Sequence, residues 1–174
     1  MKSRCFLCSI VLILIFSSAG SGKALALDEA PRIGEHAPPF VLRDINGSTV
    51  SLARHKGKVI LLNFWATWCH ACSAEMSSMN DLYNSLKDKG LEVFAVSIDS
   101  SEKSLKSYIA KKTISFPVLF DRNGEGYFEQ FGVIGLPVTF VIDRQGVLVD
   151  KFLGTTDWDS PEIRSKILRV INAK

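Results

Sequence analysis

Val59-Ile60-Leu61-Leu62-Asn63-Phe64-Trp65, continued by Ala66-Thr67-Trp68-Cys69-His70-Ala71-Cys72, is the stretch that decides how this chain folds. A near-continuous apolar run of this length fits a central strand covered on both faces. Beyond Cys72 the period changes: Met76, Met79, Leu82, Tyr83 and Leu86 recur at helical spacing, and Gly90 follows as a helix stop. The two cysteines therefore stand where a strand hands over to a helix. A helix N-terminus carries unsatisfied N–H donors and a positive partial charge, so the first thiol is expected to ionise readily. The thiolate is the attacking species in disulfide exchange. Cys69 is thus the expected nucleophile and Cys72 the thiol that resolves the mixed disulfide.

Other uses of a Cys-x-x-Cys pair fit less well. Structural zinc needs two further ligands at metal-binding spacing. After residue 26 there is no other cysteine, and His36 and His55 lie upstream in polar, loop-like sequence. A c-type haem attachment needs histidine directly after the second cysteine, where Ser73 stands. A purely structural bridge over two residues would constrain the unfolded chain little.

At the N-terminus, Lys2 and Arg4 precede an uncharged, largely apolar run from Cys5 to Phe16, followed by small residues and Ala24-Leu25-Ala26. This is the layout of a signal peptide, with residues 1–26 removed and 27–174 forming one domain. The apolar core is short for a membrane span, which needs about 20 residues. An uncleaved anchor, extended through residues 17–22, is the second reading. Cys5 and Cys8 sit at the start of the apolar run rather than its end, as a lipoprotein signal would require, and cysteine is at home in such a segment. Removal of the segment leaves Cys69 and Cys72 as a clean dithiol in an oxidising compartment. The chain has 21 basic and 18 acidic residues, and Lys2, Arg4 and Lys23 account for the surplus, so the remainder is formally neutral. Nothing in that balance points to nucleic acid.

Along the remaining chain, Asp28 to Pro39 is polar and proline-bearing and reads as an exposed lead-in. Residues 40–42 and 49–52 flank Asn46-Gly47, a hairpin signal in which both residues tolerate positive φ. Leu91 to Ile98 reads as a second buried strand, and Ser101 to Lys112 as a helix with Leu105, Tyr108 and Ile109 on one face. Strand, helix, strand implies a parallel crossover. A short strand at 116–120, a turn at 121–124, a helical piece around 128–131, a hairpin of 138–142 with 147–152, and a helix opening at Ser160-Pro161-Glu162 complete the chain. The sum is an α/β fold with a mixed central sheet flanked by helices and an N-terminal β-hairpin extension.

Three features together resemble the thioredoxin superfamily: the Trp-Cys-x-x-Cys junction, Gly135-Leu136-Pro137-Val138-Thr139 leading into a strand, and the closing hairpin and helix. More narrowly, the chain is similar to exported thiol-disulfide reductases of the TlpA, ResA and CcmG type, over nearly all of the segment after the signal. The lead-in with Gly34, Pro38 and Phe40 shares that likeness. The resemblance implies that Pro137 is a cis-proline beside the thiols, its missing N–H leaving neighbouring backbone free for a substrate strand. It also implies that Glu75, one turn beyond Cys72, tunes proton transfer with that thiol. The bland reading of Glu75 is a solvated first-turn residue. Asn63 stands where thioredoxins carry a buried acid, and a neutral amide cannot take that role.

Two departures touch the site. Ala71 replaces the proline common before the second cysteine, and His70 is unusual beside it. A protonated His70 would stabilise a thiolate, whereas the helix end disfavours a positive imidazole. With Trp68 these residues form the candidate set around the thiols.

The expected activity is reduction of protein disulfides, apocytochrome c being a candidate substrate, with recharging by a membrane thiol donor. The expected cofactor requirement is none beyond the Cys69–Cys72 disulfide, with no metal and no nucleic-acid partner, in a monomer. The expected location is periplasmic or otherwise extracytoplasmic, membrane-anchored if the N-terminal segment is retained. A disulfide oxidase or isomerase is the near alternative, separated by reduction potential. A copper-delivery module of the same fold uses a wider cysteine gap and a later histidine, and none follows His70. Peroxiredoxins carry a proline-and-threonine signature before the reactive cysteine, where Leu62 and Ala66 stand instead.

Overall fold

The computed structural model describes residues 30–173. The expected signal segment, with Cys5 and Cys8, lies outside the described residues, as does the domain start at residue 27.

All seven residues of strand β3, Val59–Trp65, are buried. Strand β1, Val41–Arg43, and β2, Thr49–Ser51, precede it as an antiparallel hairpin. On one side β3 pairs in parallel with β4, Leu91–Ser97, which pairs in parallel with β5, Val118–Phe120. On the other it pairs antiparallel with β6, Val138–Ile142, and β6 pairs with β7, Leu148–Leu153. The sheet order is β5-β4-β3-β6-β7. A strand with neighbours on both edges and layers on both faces has no room for polar side chains, which explains the unbroken apolar run. The polar exception is Asn63.

Helix α1, His70–Leu86, joins β3 to β4; α2, Glu102–Ile109, joins β4 to β5; and α3, Pro161–Asn172, closes the chain. Ser101 and Ser160 cap α2 and α3 by accepting from Ser104 N–H and Ile163 N–H. Buried apolar residues of all three helices, including Met76, Met79, Leu82, Leu105, Ile167 and Ile171, pack on the sheet face of Val59, Leu61 and Trp65.

The opposite face, centred on Ile60, Leu62, Phe64, Phe94 and Phe140, is closed differently. Phe40 and Val50 of the hairpin region and Phe131 cover it, so the N-terminal extension is part of the core. The expected helical piece at 128–131 forms a run of turns. Its conformation is set by Asp121, buried at the end of β5, whose carboxylate accepts from the N–H groups of Gly126, Tyr127 and Phe128. Gly126 is required there, because a Cβ would sit 2.8 Å from Asp121 Oδ1.

Two further expectations hold with added detail. The lead-in is exposed over residues 32–36 but also docks along the edge of β7: Leu148 N–H donates to Glu35 O at 2.8 Å, Gly34 N–H donates to Leu148 O at 2.7 Å, and Ala37 is buried. An open edge strand gains by such pairing. At Asn46-Gly47, Gly47 takes positive φ and Asn46 does not. The loop is instead organised by Asp44 Oδ1, which accepts from Asn46 N–H and Ser48 N–H.

Asp121→Ala should strand three backbone donors in the second core. The expected result is a loss of about 2–3 kcal/mol in denaturant unfolding, with faster amide exchange at 126–128 than in α1.

Candidate active site

The end of β3 fixes the start of the site. Trp65 and Ala66 are buried, and Cys69 N–H donates to Ala66 O at 3.1 Å, turning the chain toward α1. The turn is anchored from β4. Asp99, itself buried, accepts from Thr67 N–H at 3.0 Å, from Thr67 Oγ1 at 2.6 Å and from Ser97 Oγ at 2.6 Å. Cys69 then takes the N-cap position with extended backbone, and its Sγ accepts from Cys72 N–H at 3.1 Å. The sulfur thus fills the role that a serine or aspartate oxygen fills at other helix starts.

Cys69 and Cys72 form a disulfide with a Cα–Cα distance of 5.3 Å. Cys69 is 9% exposed and Cys72 is 0% exposed. The order of access agrees with the assigned roles, although Cys69 is less open than an exposed nucleophile would be. Ala71 is exposed between them, and its carbonyl accepts from Thr155 Oγ1.

Glu75 is 1% exposed, which rules out the solvated first-turn reading. Its Oε1 accepts from Asn63 Nδ2 at 2.9 Å, and its Oε2 accepts from Thr156 N–H at 3.0 Å and from Trp158 Nε1 at 3.3 Å. Asn63 Nδ2 also donates to Thr139 Oγ1 at 2.9 Å, so the cluster spans β3, β6, α1 and the loop before α3. Desolvation raises the Glu75 pKa above its ordinary 4.5, opposed by the hydrogen bonds from Thr156, Trp158 and Asn63. The result is a buried carboxyl one helical turn beyond Cys72, held by neutral donors.

The Leu136–Pro137 peptide bond is cis. Pro137 is buried just before β6, and because Val138 pairs with Phe64, it lies at the same sheet end as Cys69. Leu136 packs against the cluster that contains both cysteines. Trp68 is 68% exposed, and His70, at the first position of α1, is exposed. Among the described residues the His70 side chain makes no hydrogen bond or ion pair. His36 and His55 share a cavity with Ile60 and Asp143 at the opposite end of the sheet.

The sequence reading missed Thr139, Thr156 and Trp158 around Glu75, and Asp99 behind Thr67. A tryptophan with a buried indole needs an acceptor, but its partner lies 83 positions away.

The AhpC/TSA family model matches residues 33–151. The chain is 37% identical over 159 residues to a thiol-disulfide oxidoreductase ResA of Bacillus cereus, covering 88% of this chain and 91% of that one. It is 36% identical over 163 residues to a ResA of Oceanobacillus iheyensis, covering 90% and 84%. A solved thiol:disulfide interchange protein DsbE from Chlorobium tepidum superposes with TM-score 0.76 at 31% identity, covering 82% of this chain and 100% of that one.

Two outcomes follow from the geometry. In the reduced protein, iodoacetamide should modify Cys69 before Cys72, with Cys69 titrating below the free-thiol value of about 8.5; the opposite order would reverse the roles. Because the folded Glu75 pKa is raised, its contribution to stability is full below the unfolded value and is lost as pH rises through the folded one. Denaturation of the wild type from acid to neutral pH should show that decline, and Glu75→Gln should remove it.

Proposed function

This chain belongs to the AhpC/TSA family and is a thiol-disulfide oxidoreductase of the ResA and DsbE type, and on that premise we propose that it reduces protein disulfides outside the cytoplasm. The observation that carries the reading is Glu75, a buried carboxyl with a raised pKa one turn from the resolving thiol.

In the proposed cycle the Cys69 thiolate attacks a substrate disulfide, forms a mixed disulfide and releases one substrate thiol. Cys72 then gives its proton toward Glu75, and the resulting thiolate attacks Cys69 Sγ. The Cys69–Cys72 disulfide forms, the second substrate thiol leaves, and two electrons have passed to the substrate. A buried carboxyl whose pKa is raised above the ordinary carboxylate value holds a proton more readily than a solvated one, which suits it to take and return that proton. The cis Leu136–Pro137 bond and the exposed Trp68 border the place where a substrate strand would lie.

Export through the 1–26 segment, recharging by a membrane thiol donor and apocytochrome c as substrate complete the proposal. They are supported by the N-terminal charge and apolar pattern and by the likeness to thiol-disulfide oxidoreductases named ResA and DsbE. The pattern predicts Leu27 as the first residue of the protein recovered from outside the cytoplasm, and recovery with residues 1–26 intact would favour the anchor.

Exposed His70 favours a second reading as an oxidase, because a charged imidazole beside Cys69 makes a disulfide more oxidising. Equilibration with glutathione or dithiothreitol separates the two. A reductase should lie near the thioredoxin value of about −270 mV, and a value near −120 mV would establish the oxidase. His70→Glu should lower the potential by an amount on the order of 30 mV, a tenfold change in equilibrium constant, and raise the Cys69 pKa. Unchanged values would leave His70 a solvent-facing residue without influence on the pair.

A further inference from the structure

Beside the disulfide the surface opens into a groove of about 640 Å³, lined by Thr67 and Trp68 on one side and by Lys103, Ser104, Tyr108 and Lys111 on the other. Trp68 immediately precedes Cys69, so the groove begins within one residue of the reacting sulfur. Its floor is fixed: Tyr108 is hydrogen-bonded to Ser73 in the first turn of α1, and its ring packs 5.8 Å from that of Trp65.

The charge here is uneven. Residues 101–113 carry four lysines and one glutamate, although the chain after residue 26 is formally neutral. Glu102 pairs with Lys106 at 2.8 Å, and Lys112 lies over the Tyr108 ring at 5.3 Å. Lys103 and Lys111 are exposed, and their ammonium groups make no hydrogen bond or ion pair among the described residues. A separate hollow lined by other α1 positions has the opposite sign, with Asp81 and Asp157 beside Ala74 and Ser77 and with Asp159 paired to Arg164. An acidic chain crossing the disulfide is therefore drawn toward α2 and repelled from the other hollow.

We propose that this groove selects the protein partner, binding a segment that carries Asp or Glu within a few residues of its reactive cysteine. The inference rests on the disulfide-exchange reading and adds to it the direction and charge of the bound segment. An extended chain advances about 3.3–3.6 Å per residue, so acidic side chains two to four positions from the partner cysteine reach the two lysines while its sulfur meets Cys69. The exposed Trp68 face provides apolar contact along the way. The gain should appear mainly in the association rate and should fall with salt.

The test uses the reduced protein from residue 27 onward and disulfide-linked model peptides of one sequence, flanked by Asp/Glu, by Ser/Gly or by Lys. Rates of oxidation of Cys69 and Cys72 are followed by Trp fluorescence. The acidic peptide should react about tenfold faster than the neutral one at low ionic strength, and most of that ratio should vanish in 1 M salt, roughly the regime of a 3 Å screening length. The double variant Lys103→Glu/Lys111→Glu should invert the ratio. Lys58→Glu/Lys89→Glu, the same charge change at the far end of the sheet, should preserve it. Equal rates for all peptides, or an unchanged ratio in the groove variant, would overturn the inference. Loss of binding to phosphatidylglycerol vesicles in that variant, without any peptide preference, would overturn it in favour of a lipid surface. Failure of the reduced protein to exchange with any peptide would instead defeat the underlying reductase reading.

Discussion

A carboxyl group taken out of water organises this molecule. Glu75 can be buried on α1 because three donors from distant parts of the chain converge on it: Asn63 from β3, the Thr156 backbone and the Trp158 indole. Each donor is neutral, so the hydrogen bonds offset part of the desolvation cost without cancelling it, and the carboxyl remains easier to protonate than in water. The same contacts set the position of α1 against β3 and hold the 154–158 loop beside the cysteines. The placement of α1 and the raised pKa of this carboxyl thus rest on the same contacts.

The disulfide inherits its properties from that placement. Cys69 caps α1 with its sulfur, which puts the reacting atom at the positive end of the helix, and Cys72 is carried one turn inward. Behind them, Asp99 holds Thr67 by both its N–H and its hydroxyl, so the approach to Cys69 is fixed from β4 as well as from β3. Precise placement matters in thiol exchange because the attacking and leaving sulfurs must line up within a narrow range of distances and directions.

The second sheet face shows how a fold can be completed without another helix. Its aromatic cluster, Phe40, Phe64, Phe94, Phe131 and Phe140, is closed by the hairpin region and by the turns that Asp121 organises. Edge-to-face contacts such as Phe40 with Phe94 and Phe64 with Phe140 fill that layer.

The sequence alone determined the strand β3 to its residue limits, the strand-to-helix junction, the dithiol, the mixed sheet and the start of α3. All of these are local signals, in which period, length and neighbouring residue types decide the outcome. It also singled out Pro137 and Glu75 through resemblance. Tertiary structure alone decided that Glu75 is buried, because that depends on Trp158 and Thr156, more than 80 positions away in the chain. It likewise decided that the lead-in pairs with the edge of β7 and that residues 128–131 form turns around Asp121. A polar stretch looks the same in sequence whether water or a distant strand edge satisfies its backbone, and a buried acid looks the same as a solvated one. Which of the two holds is settled by the groups that the completed fold brings within hydrogen-bonding distance.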